Sequence, residues 1–317
     1  MGARRFALVA ALVGAAVFGI VLAIQSSYLF FAGYVVLQFV VLATAWNILG
    51  GYAGYVNFGT AAFFGLGAYS TVVMYQLVGL ALPVPVLVLI GGAVSGVIGL
   101  GMGYLTLRLR GAFFSIATLA LAVVAQTFIV NWDWVGGSRG AYVIRPAHVA
   151  ILGDYVEYLF LIMLVLAVVS IVIARTIERS RLGYGFTTIR DDELAAEACG
   201  VPTLRVKLIA TMVSGALMGM AGAPYPFYVT YLDPPSAFSL NYAVYAIAMP
   251  VIGGTTSWIG PLIGSILLST ITQVATVTIS SAVNLLIVGV LLVAFVIAAP
   301  NGIVGLVQGW FRPRRRR

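Results

Sequence analysis

The chain has 317 residues, of which 62% are hydrophobic and only 8% are charged, and its mean hydropathy is +1.09. Soluble domains carry roughly a quarter charged residues, so this composition excludes an ordinary soluble domain and implies a multi-pass membrane protein. The formal net charge of +8 does not point to nucleic acid, because the basic residues sit in clusters beside apolar runs: Arg4 and Arg5, Arg108 and Arg110, residues 175–207, and the tail Arg312 and Arg314 to Arg317. Such clusters read as topology signals, and the tail suits anionic lipid headgroups.

About 20 apolar residues are needed for a helix to cross the hydrocarbon core. In chain order the candidate spans are 6–24, 28–49, 60–77, 85–107, 111–130, 158–174, 208–228, 242–252, 258–277 and 283–299, ten in all, with 242–252 short. The first follows Arg4 and Arg5 and looks at first like a secretory leader, but it exceeds the usual apolar run of about 7–15 residues and is read as an uncleaved span. With Arg4 and Arg5 placed inside, strict alternation puts the 108–110 turn, residues 175–207 and the tail inside as well. The loop 131–157, with Asp133, Asp154 and Glu157, then falls outside, as the positive-inside rule requires. The agreement depends on keeping 242–252 as a crossing or half-crossing element.

Two connections concentrate glycine. Gly50, Gly51, Gly54, Gly59, Gly65 and Gly67 crowd the link into the third span, and Gly253, Gly254, Gly260 and Gly264, with Pro250 and Pro261, crowd the link into the ninth. Two readings stay open. Small residues allow close helix packing, whereas interrupted segments in two halves point to a transport pathway. For the first cluster as a group the pathway reading is adopted. Gly54, Tyr55, Asn57, Phe58, Gly59 and Thr60 are candidate pathway residues, joined by Gly253 and Gly254. Asn57 either contacts a zwitterionic substrate or caps a broken helix, Asn being a preferred N-cap. Tyr52, Tyr55 and Tyr69 either line a cavity or anchor the membrane interface, where Trp132 and Trp134 read as belt residues. Asp233 with the two prolines after it reads as an outer turn.

The segment 175–207 is the one long charged island, with six basic residues against five acids. Arg, Lys or Asp at a bilayer centre costs roughly 2.5–3.5 kcal/mol on insertion scales, so the island is expected to be a water-facing loop. Within it, Glu193 to Cys199 are helix formers, Asp191 and Asp192 stand where an N-cap and first turn favour acids, and Gly200 followed by Pro202 suits a stop. The result is a short helix whose Ala195, Ala196 and Gly200 offer a small surface for another protein's groove. Cys199 reads as a small packing residue, and as the sole cysteine it excludes an internal disulfide, just as the sole histidine, His148, excludes a histidine-rich metal site.

The island's Ala195-Ala196-x-x-x-Gly200 resembles the cytoplasmic coupling loop of ABC-importer permeases. GYGFTTIRDDELAAEACGV at 183–201 resembles permeases of the branched-chain amino acid importer family, the M-type subunit in particular. GGYAGYVNFGTAAFFGLGAY at 50–69, RLRGAFFSIATLALA at 108–122, NWDWVGGSRG at 131–140 and APNGIVGL at 299–306 extend the resemblance in the same order. The sequence also departs from the pattern. Leu194 stands where the coupling loop has Glu, with Glu193 one step earlier. Tyr55, Asn57 and Thr60 stand where members commonly carry Gln, Ser and His, and Arg139 where small or polar residues are usual.

The resemblance implies an all-α polytopic permease domain over 1–317, with about ten transmembrane or half-spanning helices, both termini cytoplasmic and a coupling loop at 175–207. Arg190, Asp191, Asp192, Glu193, Ala195, Ala196, Glu197 and Gly200 would meet an ATPase. The implied partners are two cytoplasmic ATP-binding subunits, a second homologous permease, a periplasmic or surface solute-binding protein and membrane lipid, in the plasma (inner) membrane of a prokaryote. The implied cargo is a branched-chain or other hydrophobic amino acid, or a related small acid or amide. No G-x-x-x-x-G-K-[ST] pattern occurs and the sole lysine is Lys207, so ATP would be used by partner subunits and no cofactor, metal or catalytic residue is expected in this chain. The competing reading is a stand-alone channel or secondary transporter. It accounts for the glycine breaks but finds no intramembrane carboxylate for a proton relay.

Overall fold

Hydrocarbon offers the backbone no hydrogen-bond partner, so a chain this apolar must satisfy its amides internally. The computed structural model describes residues 2–79, 82–106, 108–109, 111–145, 148–149, 153–278, 286, 289–290, 293–294, 297 and 302–311. Among them, nine helical segments are long and apolar enough to cross a membrane. The helices are α1 (Ala3–Ile24), α2 (Ser27–Asn47), α3 (Thr60–Val78), α4 (Val84–Thr106), α5 (Ala112–Val130), α6 (Tyr155–Glu178), α7 (Arg181–Asp191), α8 (Glu193–Ala198), α9 (Thr203–Gly222), α10 (Tyr225–Val229), α11 (Pro234–Ala237), α12 (Leu240–Gly253), α13 (Ile259–Thr278) and α14 (Gly302–Phe311). The all-α membrane architecture expected from composition is what the chain forms. The tenth expected span, 283–299, lies largely outside the described residues.

Two boundaries differ from expectation in an informative way. The short eighth span is completed by α11: α12 alone rises only about 21 Å, against a core of about 30 Å, but Pro234–Gly253 together reach spanning length. The charged island, expected as a water-facing loop with one short helix, is mostly helical. Its ends belong to α6 and α9, and α7 and α8 fill most of the rest. Lys207 is buried, at 3% exposure, against the Glu193 carboxylate, whereas Arg175, at 8%, lies over the Phe6 ring and its Nη1 makes no hydrogen bond among the described residues.

The centre of the bundle is a three-helix contact of small residues. Gly91, Gly92, Gly96 and Gly99 of α4 face α9 so closely that an added Cβ would meet Ala223, Met220, Ala216 or the Thr211 carbonyl. Gly219 of α9 lies against Ser95 and the Gly91 carbonyl, while Gly67 of α3 lies against Gly219. Ser95 Oγ donates to the Phe63 carbonyl (3.0 Å), tying α4 to α3. This is the close backbone approach by which membrane helices associate without a hydrophobic driving force. At a second crossing, Gly253 of α12 meets Gly260 and Gly264 of α13.

The two ends of the bundle differ in chemistry. At one end, residues 131–145 fold back on the corner after α10 through a two-residue ladder, Ala141 opposite Leu232 and Tyr142 opposite Tyr231. Tyr231 Oη donates to the Arg139 carbonyl (2.8 Å) and Arg145 to the Phe227 carbonyl (3.2 Å). Where the sequence suggested a turn, residues Pro234–Ala237 form the single helical turn α11, capped by Asp233, which accepts from the Ser236 amide. At the other end lie α7 and α8, together with the start of α1, whose Phe6 packs edge-on against Trp258 (4.9 Å). This charged end carries the functional candidates.

Candidate functional site

α8 is short and is held at both ends by local chemistry. Asp192 Oδ1 accepts from the amides of Leu194 (2.9 Å) and Ala195 (3.1 Å), satisfying two of the free donors of the first turn. At the far end Gly200 adopts φ +83°, its amide donates to the Glu197 carbonyl (2.9 Å) and the Val201 amide to the Ala196 carbonyl (3.0 Å). This is the paired-bond stop that glycine permits. The stop at Gly200 matches the reading of the sequence, and at the start Asp192 alone is the cap, since Asp191 ends α7 instead of entering the first turn of α8. The face does not match in full: Ala196 is buried, so the small surface presented outward is Ala195, Ala198 and Gly200 with Leu194, which is 61% exposed. Helical period explains it, because Glu193 and Ala196, three apart, share the inner face. Cys199 is exposed rather than packed.

Inside that face sits a compact polar cluster. Lys207 Nζ of α9 is 2.6 Å from Glu193 Oε1, the two side chains being 3% and 14% exposed. Tyr55 Oη donates to Glu193 Oε2 (2.5 Å) and accepts from Lys207 Nζ (3.1 Å), with the ammonium also 4.8 Å from the Tyr55 ring centroid. The Tyr55 ring stands edge-on to Phe114 of α5 at 5.1 Å. A charge pair withdrawn from water in this way needs its remaining donors and acceptors filled, and the Tyr55 hydroxyl contributes to both partners.

Tyr55 reaches the cluster because α2 stops being helical. Its last turn, Ile48–Tyr52, widens into a π-turn, a form frequent at functional sites. A Cβ on Gly50 would strike the Trp46 indole, and Gly54 takes φ +77° against the aliphatic part of Arg190. Arg190 Nη1 donates to the Gly51 carbonyl (3.2 Å), so α7 holds the same segment from another side. Three residues before Tyr55, Tyr52 Oη donates to Glu178 Oε2 (3.4 Å) at the end of α6, and the same oxygen accepts the Trp258 amide (2.9 Å) ahead of α13. Arg175 sets its guanidinium 3.7 Å over the Phe6 ring, a cation–π contact that offsets part of the cost of its burial, while its Nη1 is left without a hydrogen bond among the described residues. A cleft of about 480 Å³ opens beside the segment, lined by Gly54, Tyr55, Val56, Gly111, Ser115, Arg190 and Glu193 among others.

The candidate pathway residues separate into two places. Gly54, Tyr55, Asn57, Phe58 and Gly59 lie in the unwound segment at the charged end, and Thr60 opens α3. Asn57 is buried and its Oδ1 accepts the Gly59 amide (2.7 Å), a cap-like turn leading into α3. The Phe58 amide donates to Thr118 Oγ1 (3.1 Å), and Thr60 is fully buried. Gly253 and Gly254 are buried at the α12–α13 crossing. Two sets that the sequence treated as separate thus meet: Tyr55 with Glu193, and Gly54 with Arg190. Lys207, Glu178, Arg175 and Trp258 were not singled out. The available signals were the chain's only lysine and two tyrosines three apart beside a glycine break.

The architecture finds its counterpart among known proteins. The family described as branched-chain amino acid transport system / permease component matches residues 28–296. The high-affinity branched-chain amino acid transport system permease proteins LivM of Salmonella typhimurium and Escherichia coli are each 24% identical over 299 residues, covering 85% of this chain and 68% of the relative. A probable branched-chain amino acid transport permease protein LivH of Methanocaldococcus jannaschii is 23% identical over 265 residues, covering 79% and 83%. Because the family match takes in the unwound segment, the α7–α8 pair and the small-residue core together, the chain belongs to the branched-chain amino acid transport permease family.

Proposed function

We propose that the chain is the membrane-spanning permease subunit of an ATP-driven importer for a branched-chain or other hydrophobic amino acid, or a related small acid or amide. The observation that carries the reading is the α7–α8 pair, set between spans α6 and α9, capped at both ends, and presenting Leu194, Ala195 and Gly200 outward. A helix so braced on its inner side and so open on its outer side suits a groove in another protein. The charged end is taken as cytoplasmic, since Arg4 and Arg5, Arg108 and the island cluster there. Arg190, Asp191, Asp192, Glu193, Ala195, Ala196, Glu197 and Gly200 are the proposed coupling residues, Ala196 and Glu193 as the inner brace. Two cytoplasmic ATP-binding subunits, a second homologous permease and a solute-binding protein complete the proposed assembly in the inner membrane of a prokaryote. ATP binding would close the ATPases and displace α8, shifting the spans between inward- and outward-open states that differ in their affinity for the solute.

The test is purification in mild detergent with its ATPases, followed by reconstitution and uptake of labelled leucine. Retention of the ATPases and uptake that requires ATP are expected. Uptake driven by an ion gradient, with no ATPase retained, would instead favour a stand-alone transporter.

A further inference from the structure

We propose that Tyr55, Lys207 and Glu193 form a positioning linkage that makes α8, the start of α9 and the unwound segment between α2 and α3 move as one body when a partner presses on α8. The inference rests on the permease reading and asks how displacement of a six-residue helix enters the membrane at all. Glu193 is the first residue of α8, and both its carboxylate oxygens are engaged inward, one by Lys207 and one by Tyr55. Lys207 is 3% exposed, so water is not at hand to replace a partner that moves away. Sliding α8 over α9 would therefore strand a buried charge, and the two travel together. The Tyr55 hydroxyl is the atom that extends this unit beyond α8 and α9. It touches both charges, while its backbone belongs to the segment entering α3 and its ring abuts Phe114 of α5. Gly54, at φ +77°, rests on the Arg190 side chain, whose Nη1 also donates to the Gly51 carbonyl, which keeps the segment in register with the last turn of α7. From there α3 leads straight into the glycine contact with α4 and α9, where there is no slack to absorb the motion.

Removing one oxygen separates this role from a general structural one. Tyr55→Phe keeps the ring and leaves the ion pair in place. In proteoliposomes of the complete transporter, ATP hydrolysis and solute uptake are read from the same vesicles, with ATPase retention measured in detergent. Tyr55→Phe is expected to lower uptake per ATP about tenfold, the scale of one hydrogen bond to a charged group, while the ATPases stay bound. Lys207→Met is expected to do at least as much, and the reversed pair Glu193→Lys with Lys207→Glu to recover part of that loss. Unchanged uptake per ATP in Tyr55→Phe would overturn the linkage. So would a proportional fall of uptake and hydrolysis, which marks a folding defect, or loss of the ATPases, which marks a docking role. A reversed pair no better than Lys207→Met would count against it as well. If the unmodified complex itself shows no ATP-driven uptake, the permease reading fails, which is a different result from any variant's.

Discussion

The chain's only lysine is buried, and that makes its contribution unlike that of the surface charges around it. Lys207 and Glu193 are 2.6 Å apart at 3% and 14% exposure, whereas the Arg190–Asp191 pair spans 3.8 Å at 33% and 71%. Deleting one partner of a buried pair leaves the other uncompensated, at roughly 3–5 kcal/mol; exposed pairs contribute about 0–1 kcal/mol. Lys207→Ala should therefore lower the thermal unfolding midpoint of the purified protein clearly, while Asp191→Asn should leave it nearly unmoved. Comparable shifts in the two would mean that the Lys207 site is wetter than its burial indicates. The ends of α8 were legible in the sequence because capping is local: Asp192 and Gly200 act on amides and carbonyls within four residues. The cluster was not legible, since Tyr55 and Glu193 are 138 positions apart and only the fold brings them together.

Individual helices obey the same distinction between local and tertiary signals. Long apolar runs announced most spans, and the eighth was under-read because its N-terminal part lies in the Pro234–Ala237 turn. Which face each helix buries could not be read, because spans that are apolar all round carry little rotational information. The glycines carry it instead. Gly91, Gly92, Gly96 and Gly99 mark one side of α4, while Gly101 has nothing within 4 Å of where a Cβ would stand. Gly219→Leu should push α9 off α4, an overpacking cost of about 1–3 kcal/mol or more. Gly101→Ala should be neutral or stabilising by up to about 1 kcal/mol from helix propensity. Thermal denaturation in detergent distinguishes them, and equal effects would argue against the α4–α9 crossing. The same contacts put Gly67 to packing use, the reading that competed with a pathway for that glycine cluster.

Over the whole molecule, the charged end works as a junction. The unwound segment after α2 is gripped through Tyr52 by Glu178 of α6, through Gly51 by Arg190 of α7, and through Tyr55 by α8 and α9. Trp258, ahead of α13, shares the Glu178 carboxylate, and Phe6 of α1 lies between Trp258 and Arg175. Displacement of α8 thus has contacts leading to most of the bundle, as the proposed lever requires. The central claim is that the outer face of α8 docks an ATPase on the cytoplasmic side. Cys199, exposed and the only cysteine in the chain, immediately follows that helix as its C-cap and reports on the claim without any mutation. The direct measurement is its rate of labelling by a membrane-impermeant maleimide in inside-out vesicles, with and without the ATPase subunits. Rapid labelling that slows sharply when the ATPases are bound is the expected result; labelling at the same rate in both preparations, or only from the opposite side of the membrane, would contradict it.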